Sequence, residues 1–247
     1  MINLKHVTFI IPIKIDSQDR LRNYRIIIDY LTKEFDTNII VGESDHISHK
    51  ELLDIHPSIE YHFIHNESEL FHRTRILNYM TKISKTNIIC NYDTDVIFPT
   101  QQYLDAIQIV EDGKTLVFPY GGKFLDVPPT LFDKLIEKDF INIGELEVCH
   151  PNSLGGAFFF DKEKYGSIGW ENENFISWGW EDNERIVRLT KMGHQWGRTN
   201  GVLYHLNHER TLNCLPGNPM SRNNQAENMK ITRMTQQQLK KYIESWV

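Results

Sequence analysis

Along the first hundred residues the hydrophobic positions alternate between short unbroken runs and runs at helical spacing. Residues 7–13 (VTFIIPI) are continuous and β-branched, the pattern of a strand buried on both faces. Residues 20–35 (RLRNYRIIIDYLTKEF) repeat apolar positions every three or four residues and predict a helix. TNIIVGES (37–44) and IEYHFIHN (59–66) predict two further strands, HKELLDI (49–55) a short helix, and ELFHRTRILNYMTKIS (69–84) a longer one. TNIICNYDTDVIFP (86–99) predicts a fourth strand that runs into two carboxylates, Asp93 and Asp95. Strands alternating with helices predict a parallel, doubly wound sheet, with ligands beyond the carboxyl ends of the strands.

Beyond residue 100 the pattern is mixed. TLVFPYGGKFLDV (115–127) and SLGGAFFFDK (153–162) read as strands, and SWGWEDNERIVRLTKMG (177–193) as a loop becoming a helix that Gly193 stops. GVLYHLNHERT (201–211) reads as a late strand and loop, 213–225 as an irregular loop, and 226–247 as an amphipathic helix or helix pair. One domain over 1–215 is expected, with a first half over 1–100 and a second over 101–215, followed by a helical extension over 216–247 packed on it.

Composition narrows this. With 247 residues and 40% hydrophobic side chains the chain can bury one substantial core. A net charge of −6 argues against a general nucleic-acid binder. Three cysteines without CxxC spacing fit a reducing compartment, and the cytoplasm is the expected location. No apolar run is long enough to span a bilayer, so a soluble or at most peripheral protein is expected.

Four places concentrate chemistry. If the strand stays extended, Asp93 and Asp95 fall on one side of it, where two carboxylates attract a hard divalent cation such as Mg²⁺ or Mn²⁺; an isolated pair is more often a solvated strand end or a helix N-cap. Glu181 and Asp182 follow Trp178 and Trp180, and a carboxylate beside aromatic faces becomes a better proton acceptor near neutrality; the plain alternative is an acidic first helical turn. His205 and His208, three apart, suit one metal or none. Arg73 and Arg75 at a helix opening, and Arg20 and Arg22 after the first strand, suit phosphates or a solvated face, with Asp16 a hydrogen-bond acceptor for a base or ribose.

The order of these pieces is more specific than any of them. FHRTRILN (71–78), DTDVIFP (93–99), GGAFFFDKEKYGSIGW (155–170), WGWEDNERIVRL (178–189) and HLNHER (205–210) together resemble the β-1,4-galactosyltransferase-like glycosyltransferases of the GT-A fold, over roughly residues 7–215. The resemblance implies a Rossmann-like, mostly parallel sheet flanked by helices and a UDP-sugar donor. It implies that Asp95 and His208 ligate Mn²⁺ (or Mg²⁺), with His205 as a further ligand, and that Asp93 contacts the donor. It places Phe71 and Arg73 on the uridine and phosphates and Gly155 and Gly156 close to the sugar. Asp182 becomes the general base with Glu181 beside it, and Trp178 and Trp180 shape the donor and acceptor sites.

Three departures stand out. Trp180 occupies a position where the family usually has glycine, His205 one where it has a sulfur ligand, and the membrane anchor and disulfides of animal relatives have no counterpart. The expected activity is inverting transfer of a hexose, galactose or N-acetylgalactosamine, to a saccharide or lipid-linked saccharide, with peripheral membrane contact allowed. The rival readings are a retaining transferase on the same fold, a binding protein that has lost catalysis, and a structural protein whose acidic pair is surface.

Overall fold

The computed structural model describes residues 1–138, 140 and 144–246. It opens with β1 (Ile2–Ile13), α1 (Gln18–Glu34), β2 (Phe35–Asp45), α2 (Lys50–Leu53) and β3 (Ile59–His65). Then come α3 (Arg73–Ile83), β4 (Ile88–Tyr92), a two-residue β5 (Val96–Ile97) and α4 (Thr100–Glu111). The middle holds β6 (Leu116–Phe118), β7 (Phe124–Val127), α5 (Phe132–Ile136), β8 (Glu147–His150), β9 (Ala157–Asp161) and α6 (Lys162–Gly166). It closes with α7 (Glu181–Lys191), β10 (Trp196–Arg198), β11 (Leu203–Leu206), α8 (Ser221–Arg233) and α9 (Gln236–Glu244).

Seven strands form the main sheet in the order β10-β6-β9-β4-β1-β2-β3, and four form a smaller sheet, β5-β11-β7-β8. β4, β1, β2 and β3 are parallel neighbours, while β9 runs antiparallel to both β4 and β6. The chain therefore reverses its strand order between β1 and β4, and the crevice beyond their carboxyl ends is the expected ligand site of such a sheet. The fold is the mostly parallel α/β architecture flanked by helices that the hydrophobic pattern predicts.

The core explains why the sheet is centred there. The Phe9 ring, fully buried, lies 5.7 Å from Tyr92 and 5.9 Å from Phe159, so the central strands share one aromatic cluster. Burying each such ring stabilises the fold by about 1.5–3 kcal/mol. Local chemistry sets the helix ends: Ser17 caps α1 by accepting from the Arg20 amide at 3.2 Å, and Thr235 with Gln238 forms a capping box on α9.

Several elements differ from the sequence expectation. The helix expected from residue 69 begins only at Arg73, and α4, β8 and β10 were not anticipated. In α4 the signal was available, since Tyr103, Ala106, Ile107 and Val110 are buried at helical spacing. The run 115–127 is two strands in different sheets, because the chain turns between Phe118 and Phe124 with Gly122 at φ 109°. The loop expected over 213–225 becomes helical at Ser221.

At the C-terminus, Ile231, Leu239 and Ile243 pack with Val187 and Met192. The Lys191 ammonium donates to the carbonyls of Thr232 and Met234, each at 2.6 Å, and so closes the end of α8. Among the described residues no helix is long and apolar enough to cross a membrane.

Candidate active site

The acidic pair does not continue a strand. β4 stops at Tyr92, and residues 93–95 turn before β5, so alternation along an extended strand is not what brings Asp93 and Asp95 together. The turn is held from both sides: the Asp93 amide donates to the Gly156 carbonyl at 2.9 Å, and the Leu206 amide to the Asp95 carbonyl at 2.8 Å. From beneath, the Phe98 amide donates to the Tyr103 hydroxyl (3.3 Å), which lies 2.6 Å from the Tyr92 hydroxyl, which donates to the Val96 carbonyl (2.6 Å). A chain of buried hydrogen bonds thus fixes the backbone that presents the carboxylates.

The two carboxylates have opposite electrostatics. Burial pushes the Asp93 carboxyl up; Arg73, hydrogen-bonded to it, opposes that rise, and the charge of Asp95 adds to it. Burial would also raise Asp95, but the hydrogen bond from His208 and the charges of His205 and Arg20 hold it well below the usual carboxylate range. Asp95 is therefore the member of the pair that gives up its proton more readily.

His208 and His205 reach Asp95 from β11 and the turn after it. His208 Nε2 lies 3.1 Å and His205 Nε2 4.0 Å from Asp95 Oδ2. His208 Nδ1 bonds the Glu209 carbonyl at 2.7 Å, and His205 Nδ1 bonds Asp126 Oδ1 at 2.8 Å, so both rings carry their Nδ1 proton and turn Nε2 toward Asp95. The strand register explains Asp126, since β11 pairs with β7 in parallel and sets His205 beside it. One oxygen and two nitrogen ligand atoms converge within 4.8 Å, a donor set that fits a divalent cation such as Mn²⁺. Burial would lower the His208 pKa, yet the hydrogen bond and charge of Asp95 raise it.

The start of α7 supplies the other acidic pair. Ser177, Gly179 and Trp180 all have positive φ (61°, 116° and 75°), which turns the chain sharply into the helix. The left-handed backbone at Trp180 is the conformation that glycine adopts without cost. Asp182 packs against the Gly155–Gly156 turn: a Cβ built on Gly155 would fall 2.8 Å from Asp182 Oδ2, and one on Gly156, at φ 84°, 2.5 Å from a Leu203 methyl.

Glu181 is buried, accepts the Gly179 amide at 2.8 Å, and has its pKa raised to about 7, by burial first and by the charge of Asp182 second. The folded state thus holds that proton more tightly than the unfolded chain. The stability this confers is complete below the ordinary glutamate value and is lost as pH rises through about 7. Glu181→Gln is therefore expected to raise the denaturation midpoint at pH 8 and to change it little at pH 4; an equal shift at both would show that Glu181 ionises normally.

These groups face one cavity of about 560 Å³. Its lining includes most of the residues that the sequence singles out for catalysis, donor contact or metal: Asp16, Arg20, Phe71, Arg73, Asp93, Asp95, Gly155, Gly156, Trp178, Glu181, Asp182, His205 and His208, but not Arg22. Trp180 is not part of that lining and is 44% exposed, while Arg75 is exposed on α3. Asp16 is engaged by Arg20 Nε (2.9 Å) and the Thr211 hydroxyl, so it serves here to hold Arg20. Arg20 also reaches Cys214 Sγ (2.9 Å) and Asp95 Oδ2 (3.5 Å).

Sequence reasoning missed Lys14, Asp126, Asn213 and Cys214, all in the lining. Asn213 receives the Phe71 amide at 2.8 Å and the Ser177 hydroxyl at 3.2 Å, tying three loops together at the cavity.

Residues 147–210 match the family described as the N-terminal domain of galactosyltransferase, about a quarter of the chain. Comparison with curated proteins gives no match. Among solved structures the chain is similar to the mannosyltransferase PcManGT from Pyrobaculum calidifontis in complex with GDP-Man and Mn²⁺ (14% identity, TM-score 0.54, 91% of this chain and 61% of that one). It is also similar to glucosyl-3-phosphoglycerate synthase from Mycobacterium tuberculosis in complex with Mn²⁺, UDP and phosphoglyceric acid (15%, 0.58, 92% and 78%). A third is the catalytic domain of Drosophila β1,4-galactosyltransferase 7 in complex with xylobiose (13%, 0.46, 80% of this chain), and the chain spans 65% of that one. The chain thus shares the fold of the Pyrobaculum and Mycobacterium proteins. Within it, the segment from β8 through β11 carries the galactosyltransferase match.

Proposed function

We propose that the chain is a metal-dependent, inverting glycosyltransferase that moves a hexose, galactose or N-acetylgalactosamine, from a UDP-sugar to a saccharide acceptor in polysaccharide or glycolipid assembly. One observation supports this above others: the Gly155–Gly156 turn touches both the acidic turn, through Asp93, and the carboxylate of Asp182. A sugar lying on that turn would have the diphosphate side at Asp95 and the acceptor side at Asp182. The Mn²⁺ and nucleotides bound by the Pyrobaculum and Mycobacterium proteins of the same fold favour the same reading.

Asp95, His205 and His208 would hold the cation, which when bound supplies Lewis-acid stabilisation to the departing diphosphate. Arg20 and Arg73 add fixed positive charge, Arg73 beside Asp93 and Arg20 beside Asp95, and Phe71 offers a ring to the base. Asp182 takes the proton of the acceptor hydroxyl. The freed oxygen bonds to the anomeric carbon as the carbon–oxygen bond to the diphosphate breaks and UDP leaves with the electron pair. A single displacement turns an α-linked donor into a β-linked product.

In this reading residues 1–215 are the catalytic unit and 216–247 an extension on it, and the free thiols of Cys90, Cys149 and Cys214 suit the cytoplasm. The test is a screen of UDP-sugars with and without Mn²⁺, followed by assignment of the product's anomeric configuration. Mn²⁺-dependent turnover to a β-linked product is expected. No metal-dependent nucleotide binding would sink the reading, and an α-linked product would sink inversion.

A further inference from the structure

Arg185 looks, in sequence, like one of several charged residues on the α7 helix. In the structure its side chain is fully buried. Its Nε and Nη2 fork onto Glu171 at 3.0 and 2.8 Å, and its Nη1 donates to Asp182 Oδ1 at 2.6 Å. The guanidinium plane sits over the Phe158 ring, 4.3 Å from its centroid. Glu171 is fixed in turn: the Tyr165 hydroxyl donates to its Oε1 at 2.9 Å, and the Asn78 amide bonds both its backbone N–H (3.0 Å) and its carbonyl (2.9 Å).

The fork onto Glu171 already balances the charge of the buried arginine, although it uses only two of the five N–H donors. The third bond goes to a carboxylate that is 34% exposed and that water would otherwise solvate, so charge burial does not require it. What it achieves is orientation. With Oδ1 tied from behind, Asp182 is left with Oδ2 toward Gly155 and the cavity.

We propose that Arg185 is a positioning residue, which, clamped on Glu171 and Phe158, fixes the Asp182 carboxylate so that Oδ2 faces the acceptor hydroxyl. This rests on Asp182 being the base. A freely rotating carboxylate would seldom place its oxygen within reach of the proton, and a misplacement of about 1 Å can cost about 100-fold in rate.

The test uses two variants of the full chain. Glu171→Gln with Arg185→Gln removes the buried charges together, and Arg185→Lys keeps the charge but cannot bridge both carboxylates. Both are expected to lower kcat about 100-fold, with KM for the UDP-sugar and UDP–Mn²⁺ binding unchanged, and Arg185→Lys is expected to restore thermal stability without restoring kcat. In an Asp182→Asn background neither should cost further activity. Wild-type kcat in Arg185→Lys, or an undiminished loss in that background, would overturn the proposal. The base assignment itself fails separately, if Asp182→Asn alone retains transfer.

Discussion

Asp182→Asn is expected to lower kcat and kcat/KM together by roughly a thousand-fold, within the range a positioned general base contributes, while UDP and Mn²⁺ bind as in the wild type. The geometry supports this separation. Asp182 touches Arg185 and lies against Gly155, whereas the candidate metal ligands belong to the turn after β4 and to β11 with the turn that follows it. An asparagine keeps the size of the side chain and an oxygen for Arg185, so the fold around α7 should persist. Transfer would fail for want of a proton acceptor, and UDP affinity measured calorimetrically should not move. Loss of nucleotide binding in this variant would assign Asp182 to the donor site instead.

Glu181 is the natural rival for the same role, because it is the carboxylate whose pKa is raised to about 7. Its surroundings argue otherwise. It is buried and accepts a backbone amide from the left-handed turn that opens α7, which makes it a fastening of that turn. Both members of the pair line the cavity, but Glu181 is spent on fastening the loop while Asp182 lies with Oδ2 against Gly155, a division the adjacent letters ED cannot reveal.

How much was legible follows from the range of the interactions. The parallel half was readable because β1 and β4 carry dense apolar, β-branched stretches at residues 7–13 and 88–90, and α1 and α3 repeat at helical spacing, both local signals. The residues brought to the cavity were found because each sits in a short motif whose neighbours are themselves unusual: Asp95 after an apolar run, Asp182 after two tryptophans. Asp126 and Asn213 have no such neighbours. Asp126 meets His205 because β7 and β11 are paired in register, and Asn213 meets Phe71 across 142 residues of chain. Arg185 is hidden for a different reason, since its spacing from Asp182 is that of any exposed helical ion pair, and only its burial and its fork onto Glu171 distinguish it.

The long-range pairing of Asp126 also gives the second large expected effect, best read as a graded series at the metal site. Asp95→Asn removes the one carboxylate among the three converging ligands and the partner of His208, so Mn²⁺ affinity and metal-dependent turnover should both be lost. Asp126→Asn leaves all three ligands in place but weakens the bond that turns His205 Nε2 toward Asp95. Outer partners of this kind typically account for about 10–100-fold in metal affinity, and a loss of that size is expected. The Asp126 loss should be recovered at saturating Mn²⁺, and the Asp95 loss should not. The order has a physical cause: an amide at position 95 is a poor ligand for a cation that the two imidazoles cannot hold alone, whereas an amide at 126 still accepts the His205 proton through its oxygen. No loss of Mn²⁺ affinity in Asp126→Asn would mean that His205 does not ligate the ion and that Asp126 matters only to the packing of β7 on β11.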